Sequence, residues 1–226
     1  MAAGSEREGD AALTGGQWWI SLNVVRTRVS LLGFNLSVIA FLIGLLLTAF
    51  EGQAFTHHLP AMSSLFVGFS LSIIAAAFLL ASQELDLEGL SRPWLFSIGD
   101  VCMYLALSQS IAGLTRKYLG AVANGIEAIH VAHPGETSLG DFLGVALMLL
   151  SLLAWALTMY VGPCISISRS PLRRRERGAL WGIYAGLVLL VFFIATQAHQ
   201  LQDLVLDEPE SVLSIFAWQF LQPLTW

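Results

Sequence analysis

Charge is scarce in this chain. Of its 226 residues only 12% are Asp, Glu, Lys or Arg, about half the share usual in a soluble domain. There is a single lysine, Lys117, and the other basic residues are all arginine. Cysteine is nearly absent as well. Cys102 and Cys164 stand alone with no C-x-x-C partner, which excludes a disulfide framework and a cysteine-built zinc site. The motifs of common enzyme classes are missing too. There is no G-x-x-x-x-G-K-S/T phosphate loop, no G-x-S-x-G elbow, no H-E-x-x-H pair and no G-x-G-x-x-G turn, so nothing points to nucleotide hydrolysis or serine chemistry. The N-terminal MAAGSEREGD lacks the basic and apolar regions of a cleaved signal peptide, and the first apolar span is expected to act as its own insertion signal. No internal repeat is visible, which counts against an inverted-repeat transporter plan.

What the chain has in quantity is apolar length. It is 56% hydrophobic with a mean hydropathy of +0.71. Several apolar runs of twenty or so residues, joined by short loops, specify an all-α, polytopic transmembrane helical bundle. The sequence predicts a polar, disordered cytoplasmic tail over residues 1–16. An interfacial helix over 17–28 follows, with Trp18 and Trp19 at headgroup level. Five spans are expected at about 29–50, 61–82, 94–114, 139–163 and 178–198, and together they make a transmembrane bundle over 29–198. Residues 199–226 read as an acidic segment and a short amphipathic helix, Ser211–Leu221, started by a capping box at Asp207 and Glu210. That helix is too short to span and aromatic enough to lie in an interface. The segment between the third and fourth spans is helix-compatible over Leu119–His133 and is then broken by Pro134-Gly135.

Basic residues set the orientation. With the N-terminus inside, Arg7, Arg26, Arg28, Arg92, Arg169, Arg173, Arg174, Arg175 and Arg177 fall on the cytoplasmic side, and only Arg116 and Lys117 on the other. Five spans then leave the C-terminus outside. A bacterial inner membrane fits the short loops.

Small residues recur along several spans. Gly33, Ser37, Ala40 and Gly44 form a stripe on the first, Ser64, Gly68, Ser72 and Ala76 on the second, and Gly178, Gly182 and Gly186 on the fifth. In lipid such stripes let helix backbones approach closely, and the first two are expected to pack against each other. Stripes in excess of what one bundle consumes predict a homo-oligomer or association with other membrane subunits.

Three constellations are candidates for chemistry. Asp100 is the only acid well inside a span, and an intramembrane carboxylate is a functional-site hypothesis. Asp100, Tyr104 and Ser108 share a face at i, i+4, i+8, and Asn35, Tyr184 and Thr158 reach similar depth. Together they suggest an ion or proton site. The competing reading is structural: Asp100 hydrogen-bonded to Asn35 or Tyr184 and fixing helix register. No basic residue lies in a span core to partner it. The histidines His57, His58, His130, His133 and His199 all fall on the outer side, and Glu127 and His130 form an E-x-x-H pair of the kind that di-iron bundles use. Glu127, His130, His133 and His199 are therefore candidate metal ligands, although no cofactor is strongly implied. Arg173, Arg174, Arg175 and Arg177 form a cluster suited to anionic lipid headgroups at the cytoplasmic face. So short a cluster in a membrane loop does not indicate nucleic acid. The leading expectation is an accessory or assembly subunit of a membrane complex. A channel or transporter using Asp100 comes second, and a membrane redox or metal protein third.

Overall fold

The computed structural model describes residues 24–44, 59–89, 92–132, 137–206 and 211–220, and among these every regular element is a helix. Five helices are long and apolar enough to cross a membrane. Helix α1 is Val24–Gly44, α2 is Leu59–Leu87 and α3 is Pro93–Ala132. Helix α4, Thr137–Ala156, runs through a π turn at Leu157–Val161 into α5, Gly162–Arg169. Helix α6 is Arg174–Leu206 and α7 is Val212–Trp218. The architecture is the all-helical membrane bundle that the composition requires.

Several boundaries differ from those read off hydropathy. Helix α1 passes through Arg26 and Arg28 without a break, so these residues begin a span instead of ending a separate interfacial helix. Helix α3 continues past the apolar run into the helix-compatible stretch that follows. Its 40 residues extend about 60 Å at 1.5 Å per residue, roughly twice the hydrocarbon thickness. Helices α5 and α6 consume most of the arginine-rich loop, leaving only residues 170–173 between them. The N-cap of α7 is Ser211, whose side chain accepts from the Ser214 N–H. Asp207 and Glu210, the predicted capping box, lie outside the described residues, as do the tail 1–16 and residues 17–23.

Helix α3 is the hub. Most of its span is buried, whereas α4 is exposed along most of its length. Its closest partner is α2. A Cβ at Gly68 would meet the Ala106 carbonyl at 3.1 Å, one at Gly99 the Ala75 carbonyl at 3.2 Å, and one at Gly113 the Ala61 carbonyl at 2.9 Å. Three glycines at three levels thus let the two backbones touch, the interaction that replaces hydrophobic driving force in lipid. Helix α1 does pack antiparallel on α2, but not through its small stripe. Leu32 and Ile39 carry the contact, with Ala75, Leu79, Met62 and Leu65 opposite. Gly33, Ser37 and Gly44 of α1 are exposed. On the α2 stripe Gly68 packs against α3, while Ser72 takes a hydrogen bond from Asn35 of α1.

The outer surface is almost wholly apolar. Phe34, Phe41, Phe66, Phe142, Leu150, Leu153, Leu189 and Phe193 are all exposed, the reverse of a soluble surface and what a lipid environment demands. One end of the bundle carries Arg26, Arg92, Arg169 and Arg173–Arg175, all exposed; it is called the arginine end below.

Candidate functional site

Asp100 stands on α3 eight residues past Arg92, about 12 Å along the axis, and is only 1% exposed. Two side chains close on it. Arg28 of α1 brings its Nε to 2.6 Å from Oδ1, a contact of opposite charges and not an aligned N–H···O hydrogen bond. Ser166 of α5 donates its hydroxyl to Oδ2 in a short hydrogen bond. The Arg28 guanidinium also lies over the Phe96 ring, 4.5 Å from its centroid, a cation–π contact. One carboxylate therefore joins three helices, and the aromatic ring covers the cation.

The geometry corrects two sequence readings. Asp100 has a cationic partner, because α1 is continuous through Arg28 and antiparallel to α2, which lays its first turns beside α3. Asp100 is held neither by Asn35 nor by Tyr184. Asn35 donates instead to Ser72 Oγ at 3.0 Å, and Ser72 in turn donates to the Gly68 carbonyl at 2.8 Å. Thr158 bonds back to the carbonyls of Ala154 and Trp155 in its own helix. Ser108 donates to the Leu105 carbonyl and approaches Met159 Sδ at 3.3 Å. The groups expected to form one polar layer are satisfied separately.

Tyr184 has a more specific task. Its hydroxyl donates to the Met159 carbonyl at 2.8 Å, inside the π turn. In an α-helix that carbonyl would accept from the residue four further on, which is Pro163 and has no N–H. The helix answers with a wider turn in which the Gly162 N–H reaches back to Leu157, and Tyr184 supplies the missing donor from α6. An unpaired carbonyl in the bilayer interior would cost several kcal/mol. Gly162 has a role of its own. A Cβ there would stand 2.5 Å from the Tyr104 ring, so glycine is what lets Tyr104 lie between α3 and α5 one turn above Asp100.

Of the four predicted metal ligands only His199 has a described side chain. Among the described residues no three His, Cys, Asp or Glu side chains converge on a point that could hold a metal ion. His199 uses Nδ1 on the Ala195 carbonyl of its own helix, at 2.9 Å. Glu127 and His130 belong to the far end of α3, and His57, His58 and His133 lie outside the described residues. Arg173, Arg174 and Arg175 are exposed at the start of α6. Arg177 folds back instead, donating to the Ser170 carbonyl at 2.9 Å. Arg173 contributes its backbone N–H to Glu176, 3.0 Å away, which ties off the first turn of α6.

The glycines divide into two groups. Gly68, Gly99, Gly113 and Gly162 are tightly enclosed, whereas Gly33, Gly44, Gly178, Gly182 and Gly186 have nothing within 4 Å of an added Cβ. The sequence reading did not single out Gly99, Gly113 or Gly162, although Gly99, Cys102, Ala106, Ser110 and Gly113 share one face of α3 and Ala154, Thr158, Gly162 and Ser166 recur at every fourth position.

Comparison with protein-family models, with curated proteins and with solved structures gives no match for this chain.

Proposed function

We propose that this chain is an accessory or assembly subunit of a membrane complex, working through helix packing with second copies or with other membrane subunits. The supporting observation is the pair of small-residue faces that the bundle leaves open. Gly33 and Ser37 on α1 and Gly178, Gly182 and Gly186 on α6 are exposed, and among the described residues a Cβ added at any of these four glycines would meet nothing within 4 Å. A glycine inside a helix costs about 1 kcal/mol relative to alanine, so a row of three that packs against nothing is an unexplained expense in an isolated bundle. The row of small residues on α2 is used within the bundle, Gly68 against α3 and Ser72 against Asn35 of α1, which is what a helix partner would do for the other two.

The buried carboxylate fits the same reading. Asp100 is occupied by Arg28 and Ser166, which suits a clamp fixing α1, α3 and α5 in register better than a group that exchanges ions. On this proposal the arginine end faces the cytoplasm of a bacterial inner membrane and meets anionic lipid headgroups.

The test is purification in mild detergent followed by intact-complex mass and metal analysis of one fraction. The expected result is a larger assembly that dissociates in Gly182→Leu and Gly186→Leu variants, with the isolated chain still folded. A strictly monomeric chain in detergent and in nanodiscs refutes the proposal. Ion flux in liposomes abolished by Asp100→Asn shifts the assignment to conduction, and stoichiometric metal shifts it to a metal protein.

A further inference from the structure

Helix α7 breaks the usual rule for a short helix at a membrane surface. Such a helix buries an apolar face and turns a charged or polar face to water. In α7 the outward residues are Val212, Leu213, Trp218 and Phe220, with Leu213 79% exposed, while the polar Gln219 is turned inward and only 2% exposed. The segment Ser211–Phe220 contains no charged residue. Its surroundings are therefore apolar on every side, protein on one and lipid on the other.

Its contacts lie well inside the bundle. The Phe220 ring meets Phe192 of α6 at 4.8 Å between centroids. The Tyr160 hydroxyl, in the π turn, donates to the Phe220 carbonyl at 3.0 Å. Phe216 packs on the main core cluster, which contains Trp155, Met159 and Phe192. From Phe192 to the end of α6 at Leu206 is fourteen residues, about 21 Å along the axis. The five steps from Leu206 to Ser211 reach at most about 18 Å. Ser211 is thus tethered to the end of α6, whereas Phe220 packs at the level of Phe192, and a helix descending from one to the other fits both. Its last carbonyl meets a donor where it ends, as backbone in hydrocarbon requires.

We infer that α7 is a re-entrant half-helix, entering the bilayer from the face opposite the arginine end and closing the gap between the π turn of α4–α5 and the middle of α6. The apolar outward face, the inward glutamine and the Tyr160–Phe220 hydrogen bond each support this independently, and none depends on the oligomer proposed above. One consequence is that the π turn and the middle of α6 are joined through this segment, so that each holds the other in place.

Spin-labelled amino acids introduced singly at positions 211, 213 and 218 of the full-length chain in lipid nanodiscs test this, with both native cysteines retained. Collision with dissolved oxygen relative to an aqueous nickel complex is expected to rise several-fold from 211 to 218. The Tyr160→Phe variant is expected to lower that ratio at 218 while leaving it unchanged at 211. Hydrogen exchange of the unmodified chain in the same nanodiscs is expected to show amides 215–220 protected like those of mid-α6. Equal ratios at all three positions, with nickel reaching 218 as readily as 211, place α7 flat on the surface and overturn the inference. Rapid exchange at 215–220 overturns it as well.

Discussion

Removing Arg28 should damage this protein more than removing Asp100, although the two form one ion pair. The asymmetry follows from where each sits. Asp100 is 1% exposed, whereas the Arg28 side chain is 22% exposed and begins a span at the arginine end. Arg28→Ala leaves a carboxylate buried with only the Ser166 hydroxyl, and breaking a buried pair in this way costs about 3–5 kcal/mol. It also removes the cation–π contact with Phe96, about 0.5–1 kcal/mol at a part-exposed site. Asp100→Ala leaves an arginine whose long stem can carry its head to the headgroups, so the cost falls to about 1–2 kcal/mol, set mainly by the cavity and the orphaned Ser166. Replacing both, as Arg28→Met with Asp100→Leu, should recover most of the loss, because an apolar pair needs no desolvation. The assay is reversible unfolding in lipid micelles or nanodiscs, followed by denaturant titration or steric trapping, on the two single variants, the double variant and Arg174→Ala as a surface control. If Arg28→Ala is as mild as Arg174→Ala, the pair carries no weight in holding α1. If the double variant is worse than both singles, the clamp argument is refuted.

Other outcomes follow from the same contacts. Gly162→Ala drives a methyl into the Tyr104 ring and should cost about 1–3 kcal/mol; the double variant Gly162→Ala, Tyr104→Leu should regain part of it in the same unfolding assay. Gly182→Ala meets open space and should leave the isolated chain as stable as before or slightly more so, by up to about 1 kcal/mol, which thermal unfolding of the monomer would show. Tyr184→Phe removes the donor to the Met159 carbonyl and should cost about 2–3 kcal/mol, the cost of orphaning a buried acceptor. The variant Pro163→Ala, Tyr184→Phe should cost less than Tyr184→Phe alone, since alanine restores an N–H at 163.

Which contacts were legible in advance depended on how local their cause is. Asp100 stood out because an acid in an apolar run is conspicuous without any partner in view. Its partner did not, because the charges Arg26 and Arg28 resemble the boundary of a span, and only the continuation of α1 through them puts Arg28 beside α3. The division of the α2 stripe between α3 and α1 was equally hidden, since small-xxx-small spacing marks a face without saying what it faces. Pro163 was visible in the sequence and could have announced an orphaned carbonyl at Met159. The donor, Tyr184, is 25 residues away and is selected by the packing of α6. Helix α7 reads as interfacial from its length and aromatics, which are the same in a re-entrant helix. The re-entrant reading we propose draws instead on the direction Gln219 faces.

By itself the sequence determined the class of fold, the number of apolar helices long enough to span and the concentration of arginine at one end. These follow from apolar run length and from the cost of placing charge in hydrocarbon, which act residue by residue along the chain. Only the tertiary structure decided which small faces are consumed, what neutralises Asp100, and how the carbonyls at Met159 and Phe220 are satisfied. Those depend on hydrogen bonds and close approaches between helices far apart in sequence, and in lipid nothing weaker than such contacts distinguishes one helix arrangement from another.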